Sequence, residues 1–179
     1  WRPAPSLDAA KLLWLARHEP GLLARSEKFL STLEYVNMKL VGRAVIDPTN
    51  AAIRQLMNLE TLNWDDDIVT ATGADPRVLP EIVASGEEIG ALKAEAAEAL
   101  GLHPGVRVFN GAHDQYCACL GSSITLPGEI MLSTGTAWVL MAVTEKPLFT
   151  ASHICPGPHI EGGRGGALAA MPTSGAALE

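Results

Sequence analysis

The sequence predicts an α/β fold, and three observations carry that prediction. Helical runs with recognisable starts and stops fill roughly the first hundred residues, β-prone runs begin at Val106, and strands and helices alternate from there on. The chain has 179 residues, of which 47% are hydrophobic, enough to bury a real core.

From Asp8 to His18 the apolar residues Ala9, Leu12, Leu13 and Ala16 recur at helical spacing, with Asp8 placed to cap the first turn. Ser31 and Glu34 have the spacing of a capping box, and the helix they open is predicted to stop at Gly42, where a left-handed turn is cheap. Thr49 or Asn50 caps a helix through Ala52, Ile53, Leu56 and Met57. Residues 63–67 open another that stops near Gly73. Asp75 followed by Pro76 signals a further start, since proline at the first helical position gives up a donor that has no partner there. Residues 93–100, rich in Ala and Glu and followed by Gly101, form a short exposed helix.

At Val106 the texture changes. Val106, Val108 and Phe109 make a short strand bounded by His103, Pro104 and Gly105 before it and Asn110 and Gly111 after it. A domain boundary is placed here, dividing residues 1–108 from 109–179. An apolar helix is expected over 116–120, then two strands over 129–132 and 137–143 joined by a polar turn of Ser133, Thr134, Gly135 and Thr136. Residues 162–166 read as a glycine-rich, mobile surface loop. A third apolar run over 167–171 leads through Pro172, Thr173, Ser174 and Gly175 into another helix start.

Composition narrows the function classes. A net charge of −7 leaves no basic stripe for a phosphate backbone, so nucleic acid is not an expected partner. No run reaches the roughly 20 apolar residues that span a bilayer, and the first residues lack a signal-peptide layout, so no membrane association is expected. Three cysteines are too few and odd for a disulfide framework and fit a reducing cytoplasm. A chain that opens on Trp1 and closes on Glu179 reads as an excerpt of a longer protein.

The densest polar cluster is His113, Asp114 and Gln115, set between the strand ending at Asn110 and the helix that follows. Open α/β sheets gather ligands at such strand ends, although Asp114 placed here could equally be a helix cap. In the turn of residues 133–136 a glycine and three hydroxyls could bring donors to a phosphate, while the same residue types also serve hairpin turns for conformational reasons alone. The 173–175 loop before a helix is a comparable anion contact. His113, Asp114, Cys117, Cys119, His153, Cys155 and His159 offer metal-ligand types, but not at the spacing of a structural zinc site, so no protein-held metal is expected. No serine lies in a Gly-x-Ser-x-Gly elbow, and Trp14, Trp64 and Trp138 are read as packing residues.

In order along the chain, these segments resemble the FGGY carbohydrate kinases, the family of xylulokinase, gluconokinase, ribulokinase and glycerol kinase. The segments are KLLWLARHEP at 11–20, YVNMKLVGR at 35–43, DPTNAA at 47–52, NWDD at 63–66, LPEIVASGEEIG at 79–90, GAHDQ at 111–115, MLSTGT at 131–136 and TSGAALE at 173–179. The resemblance implies an actin-like, RNase H-like pair of α/β domains, of which this partial chain holds the back of the sugar-binding one and the front of the ATP-binding one. It implies ATP-dependent phosphorylation of a sugar or polyol, xylulokinase-like, with magnesium and in the cytoplasm. Asp114 then corresponds to the catalytic base, and Gln115 and His113 to sugar contacts. Gly135, Thr136, Gly175 and Glu179 correspond to nucleotide contacts, and a homodimer is compatible. The family's first phosphate hairpin would precede Trp1 and its adenine-binding glycines would follow Glu179, so the chain alone is expected to be inactive. The other class of reading is a truncated module that keeps the fold and binds a ligand or partner without turnover.

Overall fold

The computed structural model describes residues 6–135, 137–149 and 154–171. It divides into two compact units, Pro3–Gly111 and a second that starts at Ala112, whereas the sequence reading divides the chain at 108. Each unit has its own core.

The first unit opens with α1 (Asp8–His18), α2 (Pro20–Ala24) and α3 (Thr32–Val41), then β1 (Val45–Ile46) and α4 (Pro48–Ile53). β2 (Met57–Asn58), β3 (Asn63–Trp64) and α5 (Asp66–Ala71) follow, then a single 3-10 turn at Pro76–Val78. β4 (Glu81–Ile82), β5 (Glu88–Ala91), α6 (Ala94–Leu100) and β6 (Arg107–Phe109) complete it. The strands pair two by two, β1 parallel to β4, β2 antiparallel to β3 and β5 antiparallel to β6.

Capping residues explain most of these boundaries. Ser31 and Glu34 form the expected capping box, and α3 ends on Gly42 at φ +82°, a left-handed conformation that costs glycine little. The cap of α4 is Asp47, not Thr49 or Asn50. Its carboxylate accepts from the Thr49 and Asn50 N–H groups, Pro48 occupies the first helical position, and Leu56 and Met57 lie beyond the helix end. Asp65 caps α5, while Leu7 precedes α1, so Asp8 is the first helical residue and not the cap. Asp75 and Pro76 open only the 3-10 turn, held by the Asp75 carboxylate on the Arg77 N–H at 2.9 Å.

The core of the first unit gathers Leu12 and Leu23 with Leu56, Val69, Val78 and Leu79. A smaller cluster of Ile46, Ala51, Ala52 and Met57 lies under Trp64, whose Nε1–H donates to the Pro80 carbonyl at 2.7 Å. Beside them Arg54 pairs with fully buried Glu34 and, through Nε at 3.1 Å, with Asp8. Glu34 also accepts the Ser31 N–H at 2.6 Å, so one carboxylate serves both a helix start and a buried ion pair.

The second unit begins with α7 (Asp114–Gly121) and continues through β7 (Ile130–Thr134), β8 (Trp138–Thr144), β9 (Cys155–Pro158) and β10 (Gly165–Met171). The four strands form one antiparallel sheet in the order β7-β8-β10-β9. The hairpin and the third apolar run are therefore strands, as their alternation suggests. The expected loop at 162–166 is half wrong, because Gly165 and Gly166 are buried residues of β10. A side chain at Gly165 would collide with the backbone of Lys146 and Pro147. The helix start expected over 172–175 lies outside the described residues.

Removing one member of the buried pair strands the other charge in the core, which costs about 3–5 kcal/mol. Arg54→Ala should lower the stability of the first unit by about that amount, read from urea unfolding midpoints. An effect below about 1 kcal/mol would show that solvent reaches Glu34 once Arg54 is gone.

Candidate active site

The cluster picked out in the sequence lies at the amino terminus of α7. His113 is the N-cap, and its Nδ1 stands 3.3 Å from the Gln115 N–H. Asp114 is the first helical residue. Its Oδ1 accepts the same N–H at 2.7 Å, lies 3.1 Å from His113 Nδ1, and belongs to a side chain that is 80% exposed. His113 is the N-cap by position and shares the Gln115 N–H with Asp114, whose carboxylate is presented to solvent at the positive end of a helix, where negative charge is stabilised. Gln115 turns inward. Its Oε1 is buried and takes no hydrogen bond among the described residues, an acceptor suited to a hydroxyl donor.

α7 sits on the sheet through Tyr116 and Cys119, which are three apart and share a face. Tyr116 and Cys119 pack with Met141 of β8, and Cys119 Sγ lies 3.8 Å from Met131 Sδ of β7. Burial raises the Cys119 thiol pKa above its ordinary value, so this sulfur is an inert core group. Cys117, on the other side of the helix, is exposed with its Sγ 3.6 Å from the Ala112 carbonyl.

The β7–β8 hairpin carries the other predicted contact. Thr134 pairs with Trp138 across it, and the Gly135 N–H donates to the Ala137 carbonyl at 3.3 Å, so that donor is engaged within the turn. Thr136, Gly175 and Glu179 lie outside the described residues, as does His153. Among the described residues no three His, Cys, Asp or Glu side chains converge on a metal position, and no helix is long and apolar enough to cross a membrane. A cleft of about 520 Å³ in the first unit, lined by Ala16, Leu23, Glu27, Asp75 and Arg77 among others, shares no residue with the predicted site.

Sequence reading missed the residues behind α7. The Tyr116 ring meets His113 edge-on at 6.1 Å and 88°, and meets His159, just beyond β9, at 5.9 Å. His159 is buried and its Nδ1 accepts the Glu161 N–H at 3.2 Å. Burial lowers its pKa below the usual 6.5, an effect opposed by Glu161 and reinforced by Arg164. An aromatic two residues after Asp114 was the available signal; nothing local pointed to His159.

This architecture is that of a known family. The pattern described as "FGGY family of carbohydrate kinases, N-terminal domain" matches residues 4–121, so the chain belongs to the FGGY family of carbohydrate kinases. The matched stretch includes α7. A xylulose kinase of Staphylococcus xylosus is 31% identical over 133 residues, 74% of this chain and 28% of that protein. An L-fuculokinase of Escherichia coli (strain K12) is 35% identical over 131 residues, 73% of this chain and 28% of that protein. Among solved structures, a xylulose kinase from Rhodospirillum rubrum superposes with a TM-score of 0.89 at 28% identity, covering 98% of this chain and 36% of that one. The fold is therefore the actin-like ATPase fold of FGGY sugar kinases, present in part. The chain spans 28% of the length of the two curated relatives.

The buried imidazole has a consequence in acid. A lowered folded pKa means that the unfolded chain takes up the proton at higher pH, so stability is complete above about 6.5 and falls as the pH drops below it. His159→Phe should lose less stability between about pH 7 and pH 5 than the unchanged protein, measured as urea midpoints across that range. Equal losses would remove His159 as a source of the acid limb.

Proposed function

We propose that this chain is part of a kinase that moves the γ-phosphoryl group of ATP to a hydroxyl of a sugar or polyol, of the xylulokinase-like kind, with Asp114 as general base. The observation that carries the reading is the placement of Asp114, an exposed carboxylate at the first position of α7, directly after the N-cap His113 with which it shares the Gln115 N–H.

The chemistry asks little of the carboxylate beyond position. As the substrate oxygen attacks the γ-phosphorus, its proton becomes acidic and passes to an Asp114 oxygen, while the bond from the γ-phosphorus to the bridging oxygen breaks and ADP departs. A carboxylate oxygen carries lone pairs with which to accept that proton. The helix amino terminus holds the carboxylate charge in place before transfer. Gln115, with its buried acceptor, and His113, whose Nδ1 lies 3.1 Å from Asp114 Oδ1, are assigned to sugar hydroxyls.

Sugar recognition falls to the N-terminal domain matched over residues 4–121, and ATP to the strands that follow. ATP enters as its magnesium salt, a co-substrate in which the metal rides on the triphosphate. Gly135 and Thr136, and Gly175 and Glu179 further on, are assigned to its phosphates and nucleoside. The reading places the protein in the cytoplasm, where ATP is available.

Two measurements test this in a protein that carries the chain together with the remaining family length. Asp114→Asn should lower kcat by about 10² to 10⁴ while leaving sugar affinity by calorimetry unchanged and the thermal midpoint close to the original. Turnover near that of the unchanged protein would leave Asp114 without a chemical role and favour a module that binds without turnover. Thr136→Val should raise the KM for ATP more than the KM for sugar, because a hydroxyl donor to phosphate is lost; equal changes would place the hairpin away from the nucleotide.

A further inference from the structure

We propose that Tyr116 is a positioning residue for the Asp114 carboxylate, seated in a notch that Gly166 opens in β10 and backing the imidazole that lies against that carboxylate. The inference rests on the reading of Asp114 as the base.

An exposed carboxylate on the first turn of a helix is only as well aimed as that turn. Asp114 has the Gln115 N–H at 2.7 Å and His113 Nδ1 at 3.1 Å, and both belong to the same turn. Neither contact fixes the turn against the sheet. Tyr116 does, since it lies two residues further on, is 3% exposed, and packs with Met141 of β8.

The fit requires a missing side chain. A Cβ at position 166 would stand 2.5 Å from Tyr116 Cε1, 2.5 Å from Tyr116 Oη and 2.8 Å from Met141 Cε, closer than real Cβ atoms approach. Glycine in mid-strand usually weakens the strand, and one reason to keep it is close approach by another group. Here that group is the Tyr116 ring. The same ring presents to His113 edge-on and meets His159 at 5.9 Å. A chain of contacts therefore runs from Gly166 through Tyr116 and His113 to Asp114.

The strands that hold Tyr116 also hold the hairpin. β8 pairs with both β10 and β7, and the β7–β8 turn carries Gly135. Cys119, one turn after Tyr116, touches Met131 of β7 and supplies a second point of attachment. Two points fix both the tilt and the rotation of α7 on the sheet. The base and the assigned phosphate turn are thus mounted on one body, and a displacement of about 1 Å between such groups can cost roughly 100-fold in rate.

The test uses the same longer protein and the variants Gly166→Ala, Tyr116→Leu, Tyr116→Phe and Gly166→Ala with Tyr116→Leu. Turnover, both KM values, sugar affinity and thermal midpoint are read on each. Gly166→Ala and Tyr116→Leu should each lower kcat by about 10- to 100-fold with sugar affinity unchanged, and Tyr116→Phe, which keeps the ring, should retain most of the turnover. In the Tyr116→Leu background the added methyl at 166 no longer meets the ring, and of the three close contacts only the flexible end of Met141 remains, so Gly166→Ala should cost little more there. If Gly166→Ala does not fold, the contrast between Tyr116→Phe and Tyr116→Leu decides. Wild-type kcat in Tyr116→Leu, with only a lowered thermal midpoint, overturns the positioning role, as does an equal cost of Gly166→Ala in both backgrounds. Asp114→Asn separates the two claims. If it is inactive while Tyr116→Leu turns over normally, positioning alone fails; if it turns over normally, the base reading fails and takes positioning with it.

Discussion

One buried guanidinium organises the first unit. Arg54 follows the last residue of α4 and reaches Asp8 at the start of α1 and Glu34 in the first turn of α3, so three helix ends meet on one side chain. Glu34 is already committed to the Ser31 N–H in its capping box, and the Ala9 N–H donates to the Arg54 carbonyl at 3.3 Å. Glu34 Oε1 and Arg54 Nη1 nonetheless take no hydrogen bond among the described residues. Desolvation of both charges consumes most of what the pair returns, so its contribution is to register: with these partners fixed, the helices cannot slide past one another without stranding a charge.

The second unit is fixed by packing, with no comparable ion pair among the described residues at its centre. Tyr116, Cys119 and Met141 form its small core, with Met131, Ile124, Ile160 and Leu168 around them. Sulfur and aromatic groups suit such a site because they fill irregular gaps between a helix and a sheet. Aliphatic side chains alone would have to match the notch at Gly166 more closely.

Signals confined to a few neighbouring residues were legible in the sequence. The capping box at Ser31 and Glu34, the stops at Gly42 and Gly101, and the β7–β8 hairpin all follow from local chemistry, and the structure contains them. What failed depended on partners far along the chain. The two-residue strands β1 to β4 exist only through their pairing, and the Cys-Pro-Gly-Pro run of β9 has none of the usual strand residues. The cap of α4 moved to Asp47 because Pro48 fixes the first helical position, a local signal that was present and not used. At the site, Asp114 could be found from the strand-to-helix junction in the sequence. The packing of Tyr116 against His159 and Gly166 behind it could not, since a glycine run gives no hint that one member is a socket.

The β9 run has a further effect at the border of the sheet. Among the described residues β9 pairs only with β10, and none of them pairs with its far side. The His159 N–H donates to the Arg164 carbonyl, which sets the odd-numbered amides toward β10 and turns the nitrogens of Pro156 and Pro158 outward. Those two positions have no hydrogen to offer. A stray chain arriving at this border finds carbonyls but no donors in register, and cannot extend the sheet. The same prolines that hid the strand from sequence reading guard it against aggregation.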